Sequence, residues 1–262
     1  MTELTARRNL YRQRNLMAYP QADASDALRV EGISALLACL DAPLRLRLSQ
    51  FDLLVELDQT VDANSAYLMA VDDYEMADLV LMQAHVKPHD KVMIIGGGIG
   101  VTAGLAAKCT LPSPVVVVEA NSGLHDIITR QIALNGGEAI MVGKVLVGDK
   151  TAHPTGTIGF EISDRFWYSR ISEGVGAVQV PVVDLAELCA LYAPTAAMID
   201  IEGAERDVLS QPIPACLQTL IVEIHTPDFG GAETAKLVNA LTDQGFRMLD
   251  QLALVWVFAR NT

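Results

Sequence analysis

From about residue 86 onward, short aliphatic runs alternate with stretches of helical periodicity. Val92 to Ile95, Val115 to Val118, Ala139 to Val142, Ala196 to Ile201 and Leu220 to Ile224 are nearly unbroken apolar runs of strand length. A strand covered on both faces needs no polar side, so these runs predict a mostly parallel sheet between two layers of helices. Between the second and third runs, Leu124, Ile127, Ile128 and Ile132 fall on one helical face. Asn121 or Ser122 is placed to cap that helix, and Asn135-Gly136-Gly137 to stop it. Further helices are expected over 185–191 and over 232–243, the second with Leu237, Val238 and Leu241 turned inward. The alternation is that of a doubly wound α/β domain.

Two segments break the rhythm. Residues 1–85 show helical spacing (Val30, Ile33, Leu37, Leu40, then Met76, Leu79, Val80) without strand signals. They are expected to form an N-terminal helical cap, which divides the chain into a cap or arm over 1–73 and a main domain over 74–262. Residues 148–180 mix Gly, Thr and Ser with Phe160, Phe166, Trp167 and Tyr168, which suggests a hairpin or flap.

Composition narrows the partners. The chain has 262 residues, 51% of them hydrophobic, with 19 Lys and Arg against 32 Asp and Glu, a formal charge of −13. That much apolar material excludes a disordered chain. The acidic balance argues against nucleic acid or an anionic membrane as partner and favours a small molecule. Charge is unevenly placed: Arg7, Arg8, Arg12 and Arg14 face a lone Glu3 at the start of the chain. No apolar region follows them, as a signal peptide would require, and the weakly polar run Met93 to Ala107 stops short of a membrane span. Cys39, Cys109, Cys189 and Cys216 are far apart and form no CxxC pair, so they read as thiols of a reducing compartment. A soluble, cytoplasmic protein is expected, with a homodimer through the N-terminal helices as a candidate assembly.

The first strand runs into Gly96-Gly97-Gly98-Ile99-Gly100-Val101. Glycines at spacing of two let a backbone approach a ligand, with a helix N-terminus behind it. A dinucleotide fingerprint, GxGxxG, would need glycine at 101, and Val101 stands there, which disfavours an NAD-dependent oxidoreductase. The GxGxG spacing suits S-adenosylmethionine, which has no pyrophosphate. Glu119 follows the second strand, 23 residues beyond Gly96, where a carboxylate can accept from both hydroxyls of a ribose.

Met198-Ile199-Asp200-Ile201-Glu202-Gly203-Ala204-Glu205 resembles the Asp-x-Glu-Gly-x-Glu signature of the FkbM-type methyltransferases. Tyr74-Glu75, Gly96-x-x-x-Gly100, Val118-Glu119-Ala120-Asn121, Ala133-Leu134-Asn135-Gly136 and Val222-Glu223-Ile224-His225 resemble the same family in order and spacing, over roughly residues 74–250. The chain departs from that pattern at Ile94, Gly98 and Met198, where the family usually has an acid, an Asn and a Lys. Residues 1–73 lie outside the resemblance, and acceptor choice is expected to reside there.

The resemblance implies a class I, Rossmann-like methyltransferase. Gly96, Gly98 and Gly100 would admit the methionine part of the donor, Glu75 its amino group, and Glu119 its ribose, with Ala120, Asn121 and Val145 flanking adenine. The signature carboxylates would border the methyl group. The expected reaction is O-methylation of a hydroxyl on a small molecule such as a secondary metabolite or glycosyl unit, with His225 as first candidate base and Asp200 second. N-methylation by the same fold is one alternative, and a noncatalytic cofactor-binding or assembly subunit, suggested by Ile94 and Met198, is another. Glu202 and Glu205 serve equally well as acids that satisfy a helix start. Trp167, Phe166 and Tyr168 are of a type to stack on a planar acceptor. Asp200, Glu202, Glu223 and His225 have the chemistry to hold a divalent metal, but no spacing demands one and none is expected.

Overall fold

A computed structural model describes residues 32–39, 41–163, 169–172, 174, 176–201 and 203–261. Its centre is a seven-stranded sheet. The first half holds β3 (Val92–Ile95), β4 (Val115–Val118) and β5 (Ala139–Val142); the second holds β10 (Ala196–Ile199), β11 (Thr219–Glu223), β12 (Phe246–Leu252) and β13 (Val255–Arg260). The order across the sheet is β12-β13-β11-β10-β3-β4-β5, and only β13 runs antiparallel to its neighbours.

The five expected apolar strands all form; the inner four are buried on both faces as their composition requires, and β5, at the edge of the sheet, is half-buried. Ile94, Val115 and Val117 face a core made with α2 (Met76–His85), α3 (Val101–Thr110) and α4 (His125–Leu134). Their alternating neighbours Met93, Ile95, Val116 and Val118 face a second core made with α5 (Leu185–Tyr192), α6 (Glu205–Leu209) and α7 (Thr226–Asp243). Asn121 does cap, but it caps a 3-10 turn over Ser122–Leu124 that leads into α4. Near the N-terminal end of α7 the backbone is kinked at Gly230.

The N-terminal segment is not helical throughout, which corrects the expectation for residues 1–85. Helical turns do cover 32–38, and α1 (Ala63–Ala70) and α2 follow, but β1 (Leu44–Leu48) and β2 (Leu53–Leu57) form an antiparallel hairpin between them. The physical reason is the period-two pattern of Leu44, Leu46 and Leu48 against Arg45 and Arg47. Side chains of α4 and of the residue that caps its C-terminus finish the edge of β2. Asn135 accepts from the Leu54 N–H at 3.0 Å and donates to the Leu54 carbonyl at 2.8 Å, and Gln131 does the same for Glu56 at 2.8 and 2.7 Å. Satisfying both groups of a strand residue in this way lets the hairpin sit on the domain without joining its sheet. Val30, Leu40 and the basic arm over 1–14 lie outside the described residues.

The expected flap is present as a small sheet in the order β6 (Val145–Leu146), β9 (Val178–Val183), β7 (Thr157–Glu161) and β8 (Arg170–Ile171). Phe160 is buried beneath it with Val145, Val147, Val180 and Val182. Phe166, Trp167 and Tyr168 lie outside the described residues. No helix among the described residues is long and apolar enough to cross a membrane.

Candidate active site

Strand register alone assembles the site. Ile95 on β3 is paired with Val118 on β4 and with Ile199 on β10, and Ile199 is paired with Val222 on β11. The residues that follow are Gly96, Glu119, Asp200 and Glu223, so they stand in a row at the carboxyl edge of the sheet. The strand order reverses between β3 and β10, and open α/β sheets bind ligands at such a point. The row is pinned by backbone bonds: Gly96 donates to the Val118 carbonyl at 3.0 Å, Asp200 to Ile95 at 2.9 Å, and Glu119 to Val142 at 3.0 Å.

Above this row opens a cavity of about 910 Å³, a volume that includes the open solvent at its mouth. Seven sequence-predicted residues line it together: Glu75, Gly96, Gly98, Glu119, Ala120, Val145 and Asp200. Its walls also include Ile95, Val118, Leu146, Phe160 and Ile171, which suit a planar base, the Met198 that departs from the family pattern, and Thr102, Lys144, Ser169 and Arg170, which sequence reasoning did not single out. No described residue of 32–73 is among those walls.

Gly100, Asn121 and His225 are placed elsewhere. A Cβ on Gly100, at φ +83°, would lie 2.7 Å from the Ile128 Cα, so its job is to let the start of α3 close against α4. Asn121 uses its side chain to cap the following turn. His225 does not line the cavity, and its Nδ1 is 2.9 Å from Glu205 Oε1. Glu202 lies outside the described residues.

Glu119 braces the turn from below. Its Oε2 accepts from Gly97 N at 2.9 Å and Gly98 N at 3.2 Å, and its Oε1 accepts from Asn121 N at 2.7 Å. Glu75 precedes α2 in a left-handed conformation, φ +45°, which is uncommon for a residue with a Cβ. One turn on, Asp78 is buried with its Oδ1 lacking a partner among the described residues. The available clue was an acid at 78 inside the otherwise largely apolar run of α2.

The region is crowded with acids in a poorly solvated place. Burial pushes the Glu75 carboxyl up to about 7, against a bond from Tyr74, and raises Asp200 to about 6, where the nearby His225 works against burial and Glu205 with it. Burial also raises Asp78 and Glu119. His225 is pushed up to about 9, chiefly by its bond to Glu205. Uncompensated carboxylates of this kind favour a cationic occupant.

These values set how ligand-free protein responds to pH. Glu75 ionises near 4.5 when unfolded and near 7 when folded, so between those values the folded state holds the proton more firmly. Stability therefore falls as pH rises through that window, by up to about 3 kcal/mol from Glu75 alone, and the raised Asp78 and Glu119 act in the same sense. The urea midpoint is expected to fall between pH 5 and 7.5; a midpoint that rises across that interval contradicts the burial of these acids.

A family model for the methyltransferase FkbM domain matches residues 102–248, more than half of the chain. The matched span includes Glu119, Asp200, Glu205 and His225. A search of curated proteins returns no match. Among solved structures, the Methanococcus jannaschii fibrillarin pre-rRNA processing protein is 11% identical, with 66% of this chain and 67% of that chain covered at a TM-score of 0.43. The precorrin-6y C5,15-methyltransferase of Geobacter metallireducens is 10% identical, with 72% and 89% covered at 0.41. A TehB-like SAM-dependent methyltransferase of Corynebacterium glutamicum is 12% identical, with 76% and 96% covered at 0.40.

Proposed function

Because this chain belongs to the FkbM methyltransferase domain family, it is an S-adenosylmethionine-dependent methyltransferase, and we propose that it methylates a hydroxyl oxygen of a small molecule, a secondary metabolite or glycosyl unit. Bound S-adenosylmethionine supplies an electrophilic methyl group on a cationic sulfur. The cavity fits that donor: it has an apolar wall for adenine and an acidic end for positive charge. Glu75 would take the donor's ammonium group, Glu119 a ribose hydroxyl, and Val145 with Ala120 the adenine edge.

One observation carries the choice of a hydroxyl. An amine attacks through its own lone pair, whereas a hydroxyl needs an acceptor for its proton. Asp200 lines the cavity, whereas His225 does not, and burial raises the Asp200 carboxyl to about 6, close enough to neutral pH to take up a proton. It is thus better placed to accept that proton than His225, which then serves to position Glu205 and Asp200. The acidic surface and the four free thiols support a small-molecule partner and a cytoplasmic setting.

Incubation with donor and matched pools of alcohols and amines, read by mass spectrometry, tests this. O-methylated product and S-adenosylhomocysteine are expected from the alcohol pool, and Asp200→Asn should lower turnover about 10²-fold. Product from the amine pool alone would overturn the choice of oxygen.

A further inference from the structure

We propose that Asp200, Glu205 and His225 form a binding site for one divalent cation of the Mn²⁺ type at the wall of the cavity. The spacing of these residues along the chain does not demand a metal, but their folded arrangement provides for one. Each offers one ligand atom, and the three atoms lie within 4.8 Å of one another. Atoms sharing one ion at about 2.1 Å stand no more than about 4.2 Å apart, so the side chains need draw in by only a few tenths of an ångström.

The second observation is independent of that proximity. Glu205 is fully buried, and its Oε2 has no hydrogen-bond partner among the described residues; the same holds for Asp200 Oδ1. A buried carboxylate oxygen left without a donor is costly, and a cation bound to two such oxygens would remove both costs at once. The charged groups acting on Asp200 are His225 and Glu205, and further acids lie around them: Glu75 and Asp78 on the α2 side and Glu223 on β11. One imidazole against these carboxylates leaves the pocket short of positive charge even when the ring is protonated.

Glu205 is already held in place for this role. Its Oε1 accepts from Ile201 N at 3.3 Å and Gly203 N at 3.2 Å as well as meeting His225, which fixes the carboxylate while leaving Oε2 over. A bound ligand set is usually oriented by such supporting bonds.

The donor set selects the ion. Two carboxylate oxygens and one imidazole nitrogen, without a thiolate, suit Mn²⁺ or a similar first-row ion better than Ca²⁺, which takes six to eight oxygens. Three protein ligands leave coordination positions for water or for an acceptor oxygen, as in catalytic rather than closed structural sites. An oxygen bound there loses its proton more readily, so the ion would take over from Asp200 part of the work of activating the hydroxyl. For that role the inference rests on the proposed function; for the binding itself it does not.

Full-length protein stripped with EDTA and titrated with MnCl₂, with free Mn²⁺ followed by electron paramagnetic resonance, tests the site. One equivalent is expected to bind and to raise the thermal midpoint. Asp200→Asn and His225→Gln should each weaken binding at least tenfold. His225 is partly exposed, so its replacement provides a second variant if the buried position does not tolerate change. No bound equivalent, or wild-type affinity in both variants, overturns the site. Donor binding by calorimetry on the stripped protein separates this failure from failure of the methyltransferase reading, because the glycine turn and Glu119 need no metal to hold the donor.

Discussion

Replacing Gly96 with alanine is expected to destabilise the protein by about 4 kcal/mol or more and to abolish donor binding. An alanine Cβ there would lie 1.7 Å from the Asp200 carbonyl oxygen, at a backbone φ of +88°. Neither chain can retreat cheaply. Gly96 is held to Val118 and Asp200 to Ile95 by hydrogen bonds between adjacent central strands, so relief of the clash means breaking the sheet where it is most deeply packed. Denaturant unfolding monitored by circular dichroism checks this. Gly231 is the control, because a Cβ added to it meets nothing within 4 Å. A Gly96→Ala protein within about 1 kcal/mol of wild type would mean that β3 and β10 do not approach as closely as described.

Glu119→Ala is expected to lower donor affinity about 10- to 100-fold, or about 1.5 to 3 kcal/mol, and to lower stability as well. Three backbone N–H groups, those of Gly97, Gly98 and Asn121, converge on this carboxylate and would be left without an acceptor. The turn would then lose the shape that admits the donor, in addition to losing a contact to its ribose. Glutamine is not a conservative rescue. One of its ends is a donor, and every neighbour at this position is also a donor. Calorimetric titration reads the affinity and urea unfolding the stability. Unchanged affinity together with reduced stability would confine Glu119 to bracing the turn and put the ribose elsewhere.

These two residues were legible in the sequence because their constraints are local: an apolar run, a glycine where the run ends, an acid at the tip of the next run. Parallel pairing then aligned Gly96, Glu119 and Asp200 without any further specificity from the loops. The hairpin over β1 and β2 was harder to see. Its leucines are few and separated by arginines, and what holds its edge is a pair of amides 75 and 81 residues away. The β12–β13 hairpin was also missed, because Arg247, Met248, Leu249, Asp250 and Gln251 carry no clean alternation; β12 is paired on one side only and leaves Met248 and Leu249 exposed.

The same contrast appears within the site. Asp78 on a helix reads as a solvated charge until α2 is seen to turn it toward the sheet, where Glu223 and Glu75 raise its carboxyl further. Likewise, Glu205 and His225 stood out separately, but nothing in a 20-residue separation announced a 2.9 Å contact between them. His225 thus meets Glu205 and is not among the residues that line the cavity.

The donor titration, carried out on wild-type and Glu119→Ala protein with NADH as a second ligand, tests the central claim most directly. The predicted result is one S-adenosylmethionine bound per chain, at least tenfold weaker binding in the variant, and no binding of NADH. Binding of NADH in place of S-adenosylmethionine, or a donor affinity indifferent to Glu119, would contradict the assignment of this cavity.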